Sequence, residues 1–362
     1  METIQELENI VIVSNETDFI ANCSEKISAN FIVLCEDNFE SALEKNIYEY
    51  EILGMSLLNW VSRACNSQPM RLRAATNDVL SLVKPYATNA DYTVVLYANT
   101  PLINKQHLND LLAFVDRRHI HACKLKKGYI FKNEYIRRVD EIYSIDTYDF
   151  AGEDFFEVNN LQDLAFAEKV VKERMIAYHN LNGVVFENTA SVNLDATAEI
   201  GYGSQIAGGV SVINHSVIGS NCSVQAGAFV NGSKIADYAE IGANAIIVNS
   251  VVKTGAKIDA GVCIKDSVVG QNVIVEMGAM LSQSAIKDNC VVSEKSYVKS
   301  SSIKENTFVG DMATLVNARV AENVKIENCV LVVGENQPVI VESGALLQTR
   351  TEIVETQNKA GE

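Results

Sequence analysis

The sequence has little proline, no apolar run of membrane-spanning length and a shortage of cations. Only four of its 362 residues are proline and 20 are glycine, which excludes collagen-like and low-complexity chains. No stretch approaches the roughly 18 apolar residues that a transmembrane helix needs. The formal net charge of −16 disfavours nucleic acid and anionic membrane surfaces, because their phosphates would be repelled. We therefore expect no nucleic-acid partner and no membrane insertion.

A secretory signal and a cysteine framework are also missing. The first residues, Met1-Glu-Thr-Ile-Gln-Glu-Leu-Glu, contain no basic segment followed by an apolar core. None of the eight cysteines forms a CxxC pair, and no Cys/His cluster has zinc-ligand spacing. We expect reduced cysteines that serve as small apolar residues, and a cytoplasmic location.

The second half of the chain contains a strict repeat of aliphatic residues. Seven aliphatic residues recur at intervals of 17, and each is followed by two further aliphatic residues at intervals of six. Upstream of this column, Ile200, Ile206 and Val212 are also spaced six residues apart. The column comprises Ile218, Ile235, Val252, Val269, Ile286, Ile303 and Val320. A helix would repeat every 3.6 residues and a strand every two, whereas a period of six predicts a parallel β-helix with three short faces.

The first half has the pattern of a layered α/β domain. The apolar runs Asn9–Ser14, Phe31–Cys35 and Asp91–Tyr97 predict buried parallel strands. Helical patterns lie between strand signals at residues 57–65 and 105–115. Alternation of strands and helices predicts an α/β sheet covered by helices.

A helix over Leu161–Tyr178, with Asn159 or Asn160 as its N-cap, is predicted to join the two halves. The predicted organisation is an α/β domain over residues 1–158 and a linker helix over 159–182. A β-helix of 17-residue coils then spans 183–349 and a polar tail spans 350–362.

Four phrases of this sequence resemble one family, in order along most of the chain. They are Leu53-Gly-Met-Ser-Leu-Leu-Asn-Trp-Val, Tyr97-Ala-Asn-Thr-Pro-Leu-Ile, Val158-Asn-Asn-Leu-Gln-Asp-Leu-Ala-Phe-Ala-Glu and Gly183-Val-Val-Phe-Glu-Asn-Thr-Ala. Their order is similar to that in the bifunctional N-acetylglucosamine-1-phosphate uridyltransferase / glucosamine-1-phosphate acetyltransferase family. The resemblance implies a Rossmann-like nucleotidyltransferase domain followed by a left-handed β-helix of hexapeptide repeats.

The same resemblance implies a set of site residues. The family's metal-binding aspartate corresponds to Asn99 here, and its asparagine partner corresponds to Asn159. Substrate binding is thereby implied for Asn99, Thr100, Asn159 and Asn160, and Mg²⁺ binding for Asn99 and Asn159 if nucleotide binding is retained. From the residues alone, Asn99 is also an ordinary strand-end residue and Asn159 an ordinary helix cap.

The departures from the family concern the phosphate-binding parts. The family's glycine-rich, basic loop corresponds to Cys35-Glu-Asp-Asn-Phe-Glu-Ser here, which has three carboxylates and neither glycine nor cation. Only about 55 residues separate Ile103 from Val158, which is short for the family's sugar pocket. Since phosphoryl transfer depends on charge stabilisation, these changes predict a dismantled uridyltransferase site.

The acetyltransferase half departs as well. His215 is the only histidine in the predicted solenoid, and the family's catalytic phrases are absent. We interpret His215 as a surface corner residue and keep it as a weak candidate for an acyltransferase base. A basic cluster is interpreted as a solvated face, or alternatively as a phosphate or partner patch. It consists of Arg117, Arg118, Lys124, Lys126, Lys127, Lys132, Arg137 and Arg138.

These observations predict a protein of the sugar-phosphate nucleotidyltransferase type, related to UDP-N-acetylglucosamine synthesis, that serves as a non-catalytic binding, regulatory or scaffold member. The alternative is an active sugar-1-phosphate nucleotidyltransferase that makes UDP-N-acetylglucosamine or a similar sugar nucleotide. Expected partners are a sugar nucleotide and either copies of the same chain, a trimer through the β-helix being favoured, or a related catalytic subunit.

Overall fold

A computed structural model describes residues 27–36, 45–73, 78–141, 145–147 and 153–355. The chain divides into two compact units, Met1–Met175 and Ile176–Glu362. The strand predicted at Asn9–Ser14 lies outside the described residues. Among the described helices, none combines the length and the apolar character needed to cross a membrane.

The first unit contains a six-stranded sheet with the strand order β4-β1-β5-β7-β6-β8. Its strands are β1 (Ala29–Cys35), β4 (Met70–Arg73), β5 (Tyr92–Tyr97), β6 (Ala122–Leu125), β7 (Gly128–Lys132) and β8 (Asp146–Thr147). Strand β1 pairs in parallel with β4 and β5, whereas β7 is antiparallel to both β5 and β6. The predictions of β1 and β5 are confirmed, and the β6–β7 hairpin was not predicted.

Helices cover this sheet. They are α1 (Leu57–Ala64), α2 (Val79–Val83), α3 (Lys105–Arg117), α4 (Asn133–Ile136) and α5 (Leu161–Leu181), with 3₁₀ turns at Ile47–Glu49 and Lys84–Tyr86 and a ribbon of β2 (Glu51–Ile52) and β3 (Met55–Ser56). Both predicted helices, at 57–65 and 105–115, are confirmed as α1 and α3. Alternate residues of β1 enter two different cores, Phe31 one and Ile32 the other, so the run is apolar throughout.

Asn160 is the residue that caps α5. Its side-chain oxygen accepts the N–H groups of Gln162 and Asp163, both at 2.9 Å, and the Asp163 carboxylate accepts the N–H of Asn159 at 3.0 Å. This reciprocal arrangement satisfies amides that the first helical turn leaves unpaired. Of the two predicted caps, Asn160 is therefore the one used. The helix ends at Leu181, three residues later than predicted, and the boundary between the two units falls within it.

The second unit is a parallel β-solenoid of about ten turns, with three faces of ten, nine and ten strands. Face 1 consists of β10 (Asn193–Leu194), β13 (Ser211–Ile213), β16 (Phe229–Asn231), β19 (Ile246–Val248), β22 (Cys263–Lys265), β25 (Met280–Ser282), β28 (Tyr297–Lys299), β31 (Thr314–Val316), β34 (Leu331–Gly334) and β37 (Glu352–Glu355). Face 2 consists of β11 (Glu199–Ile200), β14 (Val217–Ile218), β17 (Lys234–Ile235), β20 (Val251–Val252), β23 (Val268–Val269), β26 (Ala285–Ile286), β29 (Ser302–Ile303), β32 (Ala318–Val320) and β35 (Val339–Val341). Face 3 consists of β9 (Val185–Phe186), β12 (Gln205–Ile206), β15 (Ser223–Val224), β18 (Glu240–Ile241), β21 (Lys257–Ile258), β24 (Ile274–Val275), β27 (Val291–Val292), β30 (Phe308–Val309), β33 (Lys325–Ile326) and β36 (Leu346–Leu347).

The strand register confirms the predicted 17-residue coil. Each member of the aliphatic column from Ile218 to Val320 pairs with the next, and all seven are at most 2% exposed. Coils at both ends are longer. Ile200 pairs with Ile218, one residue more than the repeat, and Val320 pairs with Val341, four residues more. Strand β37 lies in the segment predicted as tail and pairs with β34, so the solenoid continues past residue 349.

A ladder of buried serines stabilises the corner between faces 1 and 2. From Ser233 onward, each serine N–H donates to the Oγ of the serine one coil earlier, at 3.0–3.2 Å, and the ladder ends where the N–H of Ala318 donates to Ser301. The members are Ser216, Ser233, Ser250, Ser267, Ser284 and Ser301. Hydroxyls such as that of Ser250 also donate to a carbonyl of the same coil, so these polar groups are satisfied although buried.

Candidate functional site

The predicted site residues lie at the edge of the six-stranded sheet where β1 and β5 end. Glu36 follows β1 directly, and Asn99 and Thr100 follow β5. Because β7 runs antiparallel to β5, the β6–β7 turn, which contains Lys127, reaches the same edge. Ligands of open α/β sheets bind at this edge, outside the carboxyl ends of the strands.

Asn99 and Asn159 contact each other directly. The Nδ2 of Asn99 donates to the Oδ1 of Asn159 at 3.3 Å, and the N–H of Val158 donates to the carbonyl of Asn99 at 2.9 Å. Asn99 is only 4% exposed, whereas Asn159 lies at the surface. The structure thus brings the two residues together as an amide–amide pair, with one side-chain oxygen already accepting a hydrogen bond.

Thr100 and Asn160 are engaged within the fold. The buried Thr100 hydroxyl donates to the carbonyl of Tyr97 at 2.8 Å. The Asn160 side-chain oxygen caps α5, as described above. Their side chains therefore hold the backbone of this edge in place.

Lys127 forms an ion triad with Glu36 and Glu157 beside the amide pair. Its Nζ lies 3.2 Å from Glu36 Oε2, 3.1 Å from Glu157 Oε2 and 4.3 Å from the centre of the Tyr97 ring. Burial alone would lower the pKa of Lys127, but its hydrogen bond with Glu157 and the charge of Glu36 outweigh this, so the pKa is raised. The ammonium therefore stays charged at neutral pH.

The aromatic ring of Tyr97 packs against the Lys127 ammonium of this triad. Burial, together with neighbouring Tyr129, Glu36 and Glu157, raises the pKa of Tyr97 to about 12, so its ring is neutral. A cation over a tyrosine face gains an electrostatic attraction to the ring. The Lys127 side chain is therefore held by two carboxylates and one aromatic face.

Gly128 explains how the turn comes so close to β5. A Cβ at this position would lie 2.6 Å from the carbonyl oxygen of Val95, and its φ is +138°. Only glycine adopts this conformation without strain and leaves room for the neighbouring backbone. The glycine thus allows the turn to carry Lys127 over Tyr97.

A second polar cluster binds α5 to the rest of the first unit. Asp154 accepts hydrogen bonds from Arg174, at 3.1 Å, and from His107, and Arg174 also donates to the carbonyl of Leu102 at 2.6 Å. Burial would raise the pKa of Asp154, but its bonds with His107 and Arg174 outweigh it and the pKa is lowered. The hydrogen bond with Asp154 in turn raises the pKa of His107. This cluster is structural, since its groups satisfy one another.

The remaining members of the basic cluster are distributed over the surface of the first unit. Arg138 pairs with Glu134 at 2.6 Å, and Arg118 lies over the ring of Phe114. Lys124 and Lys126 are exposed on the β6–β7 hairpin. Only Lys127 reaches the sheet edge with two carboxylates; the interpretation of the others as a solvated face stays a prediction.

His215 lies at an exposed corner of the solenoid. It lies in the 18-residue coil that pairs Ile200 with Ile218, and both it and Asn214 adopt positive φ angles, 58° and 57°. The N–H of His215 donates to the hydroxyl of Thr197 at 2.8 Å, and Asn214 donates to the carboxylate of Asp195. From Ile218 to Val320 the register leaves no inserted loop beside which a base would act.

An open groove of about 560 Å³ lies further along the solenoid, at the corner of faces 1 and 2. Its floor is small and polar, and Arg319 and Pro338 lie at one end. Among the described residues that line it there is no histidine and no cysteine. The groove therefore offers neither a histidine base nor a cysteine nucleophile, while its lining includes Asp266 and four serines.

Sequence reasoning missed the triad and the Asp154 cluster. Lys127 was included only as a member of the basic cluster. The sequence feature that could have located it is Lys126-Lys127-Gly128, a turn signal between the short segments Ala122–Leu125 and Gly128–Lys132. Of the acidic loop proposed at residues 35–41, the structure describes Cys35 and Glu36, and the rest lies outside the described residues.

Comparison with known proteins supports the resemblance within the solenoid. Residues 184–265 match the family model described as GlmU-like, C-terminal hexapeptide. The bifunctional protein GlmU of Lactobacillus delbrueckii subsp. bulgaricus is 38% identical over 71 residues, which are 20% of this chain and 15% of that protein. That of Desulfotalea psychrophila is 32% identical over 77 residues, 21% of this chain and 23% of that protein. The matches thus span less than a quarter of these curated relatives.

Solved structures show weaker likeness. A CMP:2-keto-3-deoxy-manno-octonic acid synthetase complexed with CTP has a TM-score of 0.33 at 10% identity and covers 40% of this chain and 99% of its own. A cytidylyltransferase from Leptospira borgpetersenii has a TM-score of 0.31 at 11% identity and covers 41% of this chain and 88% of its own. The chain thus carries a GlmU-like resemblance, which the hexapeptide solenoid supplies.

Proposed function

We propose that this protein is a non-catalytic relative of the sugar-phosphate nucleotidyltransferases, acting in the cytoplasm as a binding, regulatory or scaffold subunit near UDP-N-acetylglucosamine synthesis. The observation that carries the proposal is the direct Asn99–Asn159 hydrogen bond at 3.3 Å. A nucleotidyltransferase must neutralise the charge of a triphosphate with cations and a metal ion. At this edge an amide stands where the resemblance implies a carboxylate, and it is already paired with its partner.

The surroundings of the amide pair support the same conclusion. Two carboxylates already neutralise Lys127 at this edge. Arg73, the last residue of β4, pairs with Cys35 and is a second cation at the carboxyl ends of the strands. Glu36, the first residue after β1, adds negative charge where a triphosphate would need positive charge. The strands at this edge are arranged as in open α/β sheets that bind ligands, but the positive charge that a triphosphate needs is largely neutralised.

A pyrophosphate-release assay tests this proposal. With UTP, N-acetylglucosamine-1-phosphate and Mg²⁺, we expect no release above the background without protein, because the charge stabilisation of the transition state is missing. Turnover that falls about tenfold or more in Asn99→Ala would contradict the proposal and establish the active nucleotidyltransferase. The matched control is Asn66→Ala, which removes another amide–amide pair, that of Asn66 and Asn109.

Self-association through face 1 is the second part of the proposal. The first residues of strands β13–β34 point outward and form a column without charge, although the third residues of β22 and β28, Lys265 and Lys299, are exposed on the same face. Face 2 includes Lys234 and Arg319, and face 3 includes Glu240, Lys257 and Lys325. The column consists of Ser211, Phe229, Ile246, Cys263, Met280, Tyr297, Thr314 and Leu331. Ile246 is 40% and Met280 48% exposed. An exposed and mainly apolar column is typical of interaction sites.

We expect the protein to form a trimer that buries this column, as hexapeptide solenoids commonly do. The double variant Ile246→Glu/Met280→Glu would place charges in the interface and is expected to sediment as a monomer, because buried unpaired carboxylates are costly. Gln205→Glu/Ser223→Glu on face 3 adds the same charge and should leave the assembly intact. Analytical ultracentrifugation distinguishes these results, and a monomeric wild type would contradict the expectation.

A further inference from the structure

Two carboxylates from distant parts of the chain share one ammonium group at the sheet edge. Glu36 directly follows β1. Glu157 directly precedes Val158, whose N–H donates to the carbonyl of Asn99. The Nζ of Lys127 lies within 3.2 Å of a carboxylate oxygen of both glutamates. Among the described ion pairs, this is the one in which a lysine bridges two carboxylates. The Lys127 side chain is 21% exposed, compared with 56% for Lys257 in its pair with Glu240.

This arrangement resembles a metal-ion site in which the cation is the side chain of a lysine of the same chain. Carboxylate oxygens converging from separate segments are what a hard divalent cation requires. Here both oxygens point at Nζ, and the ring of Tyr97 covers the same ammonium at 4.3 Å. The neighbouring amide oxygen of Asn159 accepts the hydrogen bond of Asn99. The residues present therefore do not fit the Mg²⁺ ion that the resemblance implies.

We infer that the Lys127 ammonium is the resident cation of this edge and stands in place of a divalent metal ion. It neutralises Glu36 and Glu157 and holds Glu36, the residue after β1, against the segment that leads into α5. A divalent ion would have to displace an ammonium held by two carboxylates and an aromatic face. Removal of the ammonium would leave the carboxylates of Glu36 and Glu157 facing the same position without a cation. We expect that position to bind a divalent cation.

This inference goes beyond the proposed function, since it concerns cation binding in the absence of nucleotide. Its failure would leave the pyrophosphate result standing. Turnover in the pyrophosphate assay would likewise overturn the proposed function without deciding which cation neutralises Glu36 and Glu157. The two proposals are therefore tested separately.

The test is titration of the full chain with Mn²⁺ alone. Calorimetry and the electron paramagnetic resonance signal of free Mn²⁺ both measure the binding. Lys127→Met keeps the apolar stem over Tyr97 and removes the charge. We expect Lys127→Met to bind one Mn²⁺ at least about tenfold more tightly than the wild type, because two unpaired carboxylates become available. Lys127→Arg should bind like the wild type. Lys257→Met is the matched control, since it frees the single carboxylate of Glu240, and we expect no gain from it.

Tight Mn²⁺ binding by the wild type, or a folded Lys127→Met variant with no gain, would overturn the inference. If Lys127→Met does not fold, the wild type still decides the matter. Reductive methylation of Lys127, followed by mass spectrometry, should proceed at the same rate with and without Mn²⁺. Acceleration by Mn²⁺ would show that the metal ion displaces the ammonium, which contradicts a resident lysine cation.

Discussion

Replacing Asp154 by alanine is expected to lower the free energy of unfolding by about 3 kcal/mol, because the change leaves a partly buried Arg174 and His107 without their shared carboxylate. The Asp154 side chain is 17% and the Arg174 side chain 23% exposed, so solvent compensates little for the loss. The cluster joins α3, the segment before α5 and α5 itself. Its loss should therefore release the linker helix from the first unit.

Urea unfolding followed by circular dichroism measures this effect. Asp154→Asn, which keeps the shape and one acceptor, should lose less than Asp154→Ala. Asp140→Ala is the control, since Asp140 pairs with Lys84 at 2.8 Å but its side chain is 99% exposed. Water solvates and screens such a surface pair, so we expect little change in stability. Equal stability of Asp154→Ala and the wild type would show that the cluster does not hold the helix.

The second large effect expected is a pH dependence that arises from His179. This side chain lies near the end of α5, is 4% exposed and contacts the rings of Tyr178 and Phe186 edge-on. Within the described part of the chain its Nδ1 has no hydrogen-bond partner. Burial lowers the pKa of His179 from 6.5 to about 4. The folded protein therefore keeps a neutral imidazole where the unfolded chain binds a proton.

The sign of the effect follows from the direction of this shift. Above pH 6.5 both states are neutral at His179, and as the pH falls toward 4 only the unfolded state gains the proton. Stability falls by about 1.4 kcal/mol per pH unit across this window. Between pH 7 and 5 we expect the wild type to lose about 2 kcal/mol more than His179→Leu does.

The control for this measurement is His215→Leu, which removes an exposed histidine from a solenoid corner. We expect its stability to follow the wild type at both pH values. If His179→Leu instead loses stability in parallel with the wild type, His179 is not the group that titrates.

The solenoid was the part of the fold that the sequence pattern predicted best, for a physical reason. Each coil contacts its two neighbours, so a one-dimensional repeat such as Ile235, Val252 and Val269 contains nearly all the information about its packing. The extra residue of the coil that contains His215 escaped notice because the six-residue spacing from Ile200 to Ile218 looks regular. It is absorbed by two consecutive residues with positive φ, which no hydrophobic pattern reveals.

The first unit was predicted only in part, since its organisation depends on contacts between distant segments. Strands β1 and β5 are buried on both sides, so their apolar runs identify them. The β6–β7 hairpin is short and includes Lys124 and Lys132, so its strands have no comparable signal. The partners of Lys127 come from residues 36 and 157, and only the folded sheet brings them together.

The candidate site was predicted at the level of its position rather than of its chemistry. Asn99 and Asn159 were identified as a pair, and the structure brings them within hydrogen-bond distance. That they bond to each other, and that Lys127 neutralises the adjacent carboxylates, could not be deduced from spacing. These two contacts change the expectation from a weakened metal site to an edge at which the amide pair and the Lys127 ammonium are already engaged.

Calorimetric titration of the wild type with UTP, with and without Mg²⁺, tests this account most directly. Because Lys127 is already paired with two carboxylates and Asn99 with Asn159, we expect no UTP binding that depends on Mg²⁺. UTP binding that tightens about tenfold or more with Mg²⁺ and disappears in Asn99→Ala would show that the edge works as a metal-dependent nucleotide site, and it would contradict the account.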